Sequence, residues 1–155
     1  MGVEIERKFL LKNGSWKKSI DNSVRMIQGY MAGGSGTPTV RVRLAGKMAW
    51  ITIKGKASGI SRSEYEYQIP AEDAEEMLST LCGTRIVEKI RHYSGRWEID
   101  EYLGKNAGLF TAEIELSDPD EKFEKPSFLG AEITGESMYS NGALSRRPYK
   151  SWEKK

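Results

Sequence analysis

The chain is poor in the residues that build several common sites. Among 155 residues there is one cysteine and one histidine. A single cysteine excludes an internal disulfide framework and any cysteine-rich zinc or iron–sulfur centre, and a lone histidine excludes a poly-histidine metal site. Any metal bound here must be held by oxygen. Long apolar runs are also missing: the longest is the four residues Met48 to Ile51, against the roughly 18 that a bilayer-crossing helix needs. Glu4 and Glu6 occupy the stretch where a secretory signal would place a basic start and an apolar run, and Glu6 stands where N-myristoylation requires Ser or Thr. A cytoplasmic address without membrane contact is therefore expected. Charge of one sign is not in excess either. The 24 Lys plus Arg nearly cancel 22 Asp plus Glu, leaving +2, which argues against a broad basic footprint and hence against a nucleic-acid partner. No Gly-Lys dipeptide is followed by Ser or Thr, so no Walker motif is present.

What the chain does have is alternation. With 38% apolar and 30% charged residues, it reads as one globular domain over residues 1–155. Period-2 patterns dominate, the signature of strands with two chemically different faces. Val3, Ile5, Phe9 and Leu11 interleave with Glu4, Glu6 and Lys8; Val40, Val42 and Leu44 with Arg41 and Arg43; Ile51 and Ile53 with Thr52 and Lys54. The same pattern returns around Glu64 and Glu66, Lys89 and Arg91, Glu98 and Asp100, and Glu113 and Glu115. With a strand from Val24 to Met31 this makes eight. Turn signals at Gly33–Gly36, Ala45–Lys47, Gly55–Gly59, Ser94–Gly95 and Gly104–Gly108 separate them as hairpins. One helix is predicted from about Ala71 to Cys82, with Pro70 at its mouth and Gly83 as a stop, and shorter ones over Ser15–Ile20 and Ser140–Arg147. The expected class is mainly β, α+β in detail: antiparallel strands closing as a sandwich or a barrel, with a few flanking helices. Lone His92 alternates onto the apolar face, which supports a structural role over a Ser-His-Asp hydrolase.

The polar face carries the chemistry. Same-sign doublets at i and i+2 place like charges about 7 Å apart along one strand, where they repel unless opposite charge sits between them. A merely wetted face is ordinarily padded with Thr, Ser and Gln instead. Paired carboxylates suit Mg²⁺ or Mn²⁺, hard cations with oxygen ligands. Paired Arg and Lys suit phosphate, Arg as a planar fork and Lys as a point charge. If the sheet closes with this face inward, its lumen becomes a wet, charged tunnel fit for a metal and a polyphosphate. A lipocalin-type barrel would instead have Ile5, Val42 and Ile53 lining the lumen.

The segment Glu4-Ile5-Glu6-Arg7-Lys8 resembles the Glu-x-Glu-x-Lys signature of the CYTH superfamily, the triphosphate tunnel metalloenzymes. The likeness continues in order through Gln28-Gly29-Tyr30, Arg41-Val42-Arg43, Ile53-Lys54, Glu64-Tyr65-Glu66, Lys89-Ile90-Arg91, Glu98-Ile99-Asp100, Glu113-Ile114-Glu115, Tyr139-Ser140-Asn141 and Arg147-Pro148. The resemblance implies an eight-stranded antiparallel closed β-barrel that hydrolyses a triphosphate with a divalent metal, Mg²⁺ or Mn²⁺, in the manner of the short bacterial inorganic triphosphatases. Carried onto this sequence, it implies that Lys8, Arg41, Arg43, Lys54, Lys89 and Arg91 clamp phosphates. Arg147 touches the terminal one from the C-terminal helix. Glu4, Glu6 and Glu115 hold the metal; Glu64, Glu66, Asp100 and Glu113 are further ligands or water-orienting bases. The expected partner is a small-molecule triphosphate, inorganic tripolyphosphate foremost, with a homodimer a further expectation. The alternatives are a class IV-type adenylyl cyclase, a thiamine triphosphatase, or a non-enzymatic polyphosphate- or nucleotide-binding module. The compact chain shows the phosphate clamp and carboxylates, with no segment assignable to a base or thiamine ring.

Overall fold

The computed structural model describes residues 2–34, 37–56, 58 and 60–152. Ser35, Gly36, Ala57 and Gly59, parts of two predicted turns, lie outside the described residues. The strands are β1 (Gly2–Leu11), β2 (Asn22–Gly34), β3 (Thr37–Ala45), β4 (Met48–Lys54), β5 (Ser61–Ile69), β6 (Ile86–Ser94), β7 (Trp97–Tyr102), β8 (Phe110–Glu115) and β9 (Leu129–Glu132). Two helices join them, α1 (Ala71–Thr80) and α2 (Asn141–Arg146), with 3-10 turns at Ser15–Ser19, Gly104–Asn106, Ser137–Tyr139 and Tyr149–Ser151. No helix among the described residues is long and apolar enough to cross a membrane.

All pairings are antiparallel and run β5-β4-β3-β2-β6-β7-β8-β1, and a β5–β1 pairing closes the ring. The eight-stranded barrel is thus present. A ninth strand adds to it. On β1, β5 pairs with Gly2–Ile5 while β9 takes up Phe9 and Leu11. Because β8 pairs with Glu6–Leu10 along the other edge, β5 and β9 share one edge of β1.

The apolar alternates point outward and are covered there. Phe9, Trp97, Ile99, Ala112 and Ile114 form a buried cluster with Trp16, Phe128 and Leu129. These come from the Ser15–Ser19 turn and the segment around β9, which act as lids on the outside of β1, β7 and β8. Burying a side chain of this size contributes about 1.5–3 kcal/mol. A second outer patch, Val42 with Ala49, packs against Ala74 of α1. The helix forms where predicted: Pro70 starts it in extended backbone, Glu72 and Asp73 sit in its first turn, and Gly83 follows at φ 58°. Val42 on the outside and Ile53 at 37% exposure leave no apolar lumen, so the lipocalin-type reading falls.

One end of the lumen is closed. Leu144 of α2 is fully buried with Tyr30, Val87, Tyr102 and Leu109, so an apolar layer seals the barrel beneath the charged one. Ser140 caps α2, its hydroxyl accepting from Ala143 N at 3.1 Å. On the outer face of β2, Gly29 is demanded by close packing: a Cβ at that position would meet Cys82 Sγ at 2.6 Å and Ile86 Cδ1 at 2.9 Å.

Candidate active site

The charged alternates of seven strands converge on one cavity of about 280 Å³. Glu4, Glu6 and Lys8 enter it from β1, Arg41 and Arg43 from β3, and Lys54 from β4. Glu64 and Glu66 come from β5, Arg91 from β6, Glu98 from β7, and Glu113 and Glu115 from β8. Register explains the convergence, since Thr39, Lys54 and Glu64 stand in one cross-strand row and Arg41, Thr52 and Glu66 in the next.

The cations fall into two kinds. Lys54 is neutralised: its Nζ lies 2.9 Å from Glu4 Oε2 and 3.4 Å from Glu64 Oε2. Arg91 forks onto Asp100, Nε to Oδ1 at 2.8 Å and Nη2 to Oδ2 at 2.9 Å, while Lys89 Nζ reaches Oδ2 at 2.7 Å. Burial alone would raise Asp100, but Arg91 and Lys89 outweigh it and hold the carboxyl far below its usual range. Arg43 is different. Its Nε donates to Gln28 Oε1 at 3.1 Å, and among the described residues no carboxylate pairs with it. Burial, with Arg41 and Arg91 nearby, pushes it down to about 10. Arg41 meets Glu66 only at 3.5 Å, and its buried Nε has no hydrogen-bond partner. A guanidinium N–H left without an acceptor in such a site, as at Arg41 Nε, costs free energy that an anion would recover.

The carboxylates show the mirror image. Glu98 stands directly opposite Glu113 across β7 and β8, and Glu6 directly opposite Glu115 across β1 and β8. Like charges at such positions destabilise a sheet. Burial and the neighbouring Glu113 push Glu6 up to about 9. Burial would raise Glu113 too, but Lys8 and the hydrogen bond with Glu6 hold it well below the usual range. Burial likewise raises Glu98 and Glu115. Among the described residues no three carboxylates are already gathered at ligating distance, because Glu4 leans to Lys54 and Glu6 to Glu113. The donor set nevertheless fits a hard divalent cation: oxygen only, with facing pairs whose mutual repulsion such an ion would relieve.

This arrangement matches a known family. The CYTH domain model covers residues 2–149. The chain belongs to the CYTH family. A protein of Acetivibrio thermocellus named inorganic triphosphatase is 43% identical over 157 residues, with 99% of each chain covered. One of Nitrosomonas europaea with the same name is 33% identical over 151 residues, covering 92% of this chain and 97% of the other. A solved structure of an inorganic triphosphatase superposes with a TM-score of 0.64 at 31% identity over 92% of this chain and 97% of that one.

In this CYTH chain three residues singled out from the sequence stand away from the cavity wall. Lys89 and Asp100 face the lumen side but are 0% and 1% exposed; they lie beneath Arg91, with Asp100 bonded to it. Arg147 is exposed at the C-terminal end of α2 and does not line the cavity, whereas Arg146 does. The expected helix over Ser140–Arg147 ends one residue earlier, and Arg147 follows it in non-helical backbone (φ −129°, ψ 86°), so its side chain leaves in another direction than that of Arg146. Arg62, Arg85, Tyr30, Thr39 and Asn141 also line the cavity. Arg62 shares parity with Glu64 and Glu66 and was readable by alternation; Arg85 precedes β6, where no alternation exists to read.

Proposed function

We propose that the chain hydrolyses a triphosphate, inorganic tripolyphosphate foremost, in this lumen with the help of Mg²⁺ or Mn²⁺. The observation that carries the reading is Arg43, half-buried beside Arg41 and Arg91 with no carboxylate partner among the described residues, in the same cavity as facing carboxylates. An apolar ligand would leave both sets unsatisfied.

Lys8, Arg41, Arg43, Lys54 and Arg91 bind the phosphate oxygens, the arginines as planar donors. Asp100, held by Lys89, fixes the orientation of Arg91 before substrate arrives. Glu4, Glu6 and Glu115 hold the divalent ion, with Glu113 beside Glu6. When bound, that ion neutralises phosphate oxygens and the leaving group in a transfer that asks for little covalent work from the protein. Glu64 and Glu66 remain to orient the attacking water and take up its proton. Water adds to a terminal phosphorus, the bridging P–O bond breaks, and pyrophosphate and orthophosphate leave.

A cytoplasmic setting agrees with the unpaired thiol of Cys82. Pairing of two chains has one supporting feature, the exposed Val3, Ile53 and Tyr67 on the adjoining strands β1, β4 and β5; sedimentation equilibrium tests it. The test of function is phosphate release from tripolyphosphate, ATP and thiamine triphosphate with each metal, with cyclic AMP quantified alongside. Fastest release from tripolyphosphate is expected. Cyclic AMP formed from ATP would make the chain a cyclase, fastest turnover of thiamine triphosphate would make it a thiamine triphosphatase, and tight binding without turnover would make it a sensor.

A further inference from the structure

Lys8 sits at a gap. Along the shared edge of β1, pairing with β5 ends at Ile5 and pairing with β9 begins at Phe9. Both backbone polar groups of Lys8 face this gap and must be satisfied there. The carbonyl accepts from Ile133 N at 2.8 Å. The N–H donates to a side chain, Thr134 Oγ1, at 2.9 Å.

That hydroxyl is itself held. A threonine has one proton to give, and the shorter contact of Thr134 Oγ1 is with Glu132 Oε2 at 2.6 Å. Glu132 in turn receives the fork of Arg7, Nε at 2.8 Å and Nη2 at 2.6 Å. Arg7 lies over the Phe123 ring, 5.0 Å from its centroid. The chain of contacts therefore leaves β1 at Arg7, passes through β9, and returns to β1 at the next residue. The far end of Lys8 is tied to the same stretch of chain, since its Nζ lies 3.4 Å from the Tyr139 carbonyl as well as 3.3 Å from Glu113.

We propose that Thr134, backed by Glu132 and Arg7, is a positioning residue that sets where the Lys8 ammonium meets the substrate's phosphate. The inference rests on the triphosphatase reading above. Loss of the hydroxyl frees the Lys8 amide and lets β1 shift where its β5/β9 edge has no strand partner and only β8 pairs with it. Displacements of about 1 Å in a positioned group lower rates by as much as about a hundredfold.

The test compares Thr134→Val, which keeps the shape and loses the hydroxyl, with Thr134→Ser, which keeps the hydroxyl. Three quantities are read: kcat/KM on tripolyphosphate, amide exchange at Lys8, and the Kd for tripolyphosphate by calorimetry. In T134V, kcat/KM is expected to fall about tenfold and Lys8 exchange to accelerate, with the thermal midpoint nearly unchanged; T134S stays within about twofold of wild type. Faster Lys8 exchange without loss of kcat/KM overturns the proposal. So does equal impairment in both variants, or a loss that follows the fraction of folded protein. A wild-type chain that binds tripolyphosphate without hydrolysing it refutes the triphosphatase reading separately. The positioning claim is then decided by Kd: about tenfold weaker in T134V supports it, and an unchanged value overturns it.

Discussion

Arg91 and Asp100 face each other across β6 and β7 in a two-point fork of 2.8 and 2.9 Å, both buried. Lys89 completes the set at 2.7 Å, so one carboxylate answers two cations. Removing it leaves uncompensated positive charge in a dry place. Asp100→Asn should lower stability by about 3–5 kcal/mol, read from urea unfolding, and lower turnover beyond what the loss of folded protein explains. An unchanged midpoint would show that Lys89 and Arg91 find other partners.

Arg43 should behave in the opposite sense. Its charge is half-buried without a carboxylate partner among the described residues, a burden in the free protein and an asset when an anion is bound. Arg43→Met should leave the thermal midpoint of the free protein equal or raised. Tripolyphosphate affinity should fall by about 10- to 100-fold, the range expected for lost charge-assisted hydrogen bonds. Destabilisation with affinity intact would remove Arg43 from the clamp.

Burial and the neighbouring Glu113 push Glu6 up to about 9, which favours a proton and a hydrogen bond between the two carboxyls. Glutamine reproduces that hydrogen bond but offers a poor metal ligand. Glu6→Gln should therefore fold as well as wild type, while the rise in thermal midpoint on adding Mn²⁺ disappears. A midpoint that still rises with Mn²⁺ would place the ion elsewhere.

Glu132 provides a pH test of the network behind Lys8. Hydrogen bonds from Arg7 lead the causes that bring its carboxyl down to about 2 from the ordinary 4.5. A lowered folded-state value means the contribution is complete above about 4.5 and is lost as pH falls toward 2. Wild type should lose more stability than Glu132→Gln over that interval, measured by urea midpoints at matched pH. Parallel curves would mean the fork does not persist in solution.

Much of this was legible in the chain itself. Alternation in Val3–Leu11 and Val40–Leu44 identifies strands and their two faces, and the same-sign doublets mark the face that closes inward. Depth was not legible. Lys89 and Arg91 share parity, yet only Arg91 reaches the cavity, because the apolar layer of Val87, Tyr102 and Leu144 begins just below. Strand β9 escaped notice for another reason. It has four residues and no alternation, and a Cβ at Gly130 would lie a tight 3.1 Å from Leu10 O, so glycine eases its approach to β1. Thr134 carries no signal of its own, since its role is set by a gap that two distant strands leave on a third.

The most direct test of the account is steady-state phosphate release from tripolyphosphate by the wild-type chain, with Mg²⁺, with Mn²⁺ and with a chelator, beside Arg43→Met under the same conditions. Metal-dependent release that the chelator abolishes and the substitution sharply reduces is the predicted result. Release that persists with the chelator, or that Arg43→Met leaves unchanged, would contradict a lumen in which carboxylates hold an ion and arginines without carboxylate partners hold the substrate.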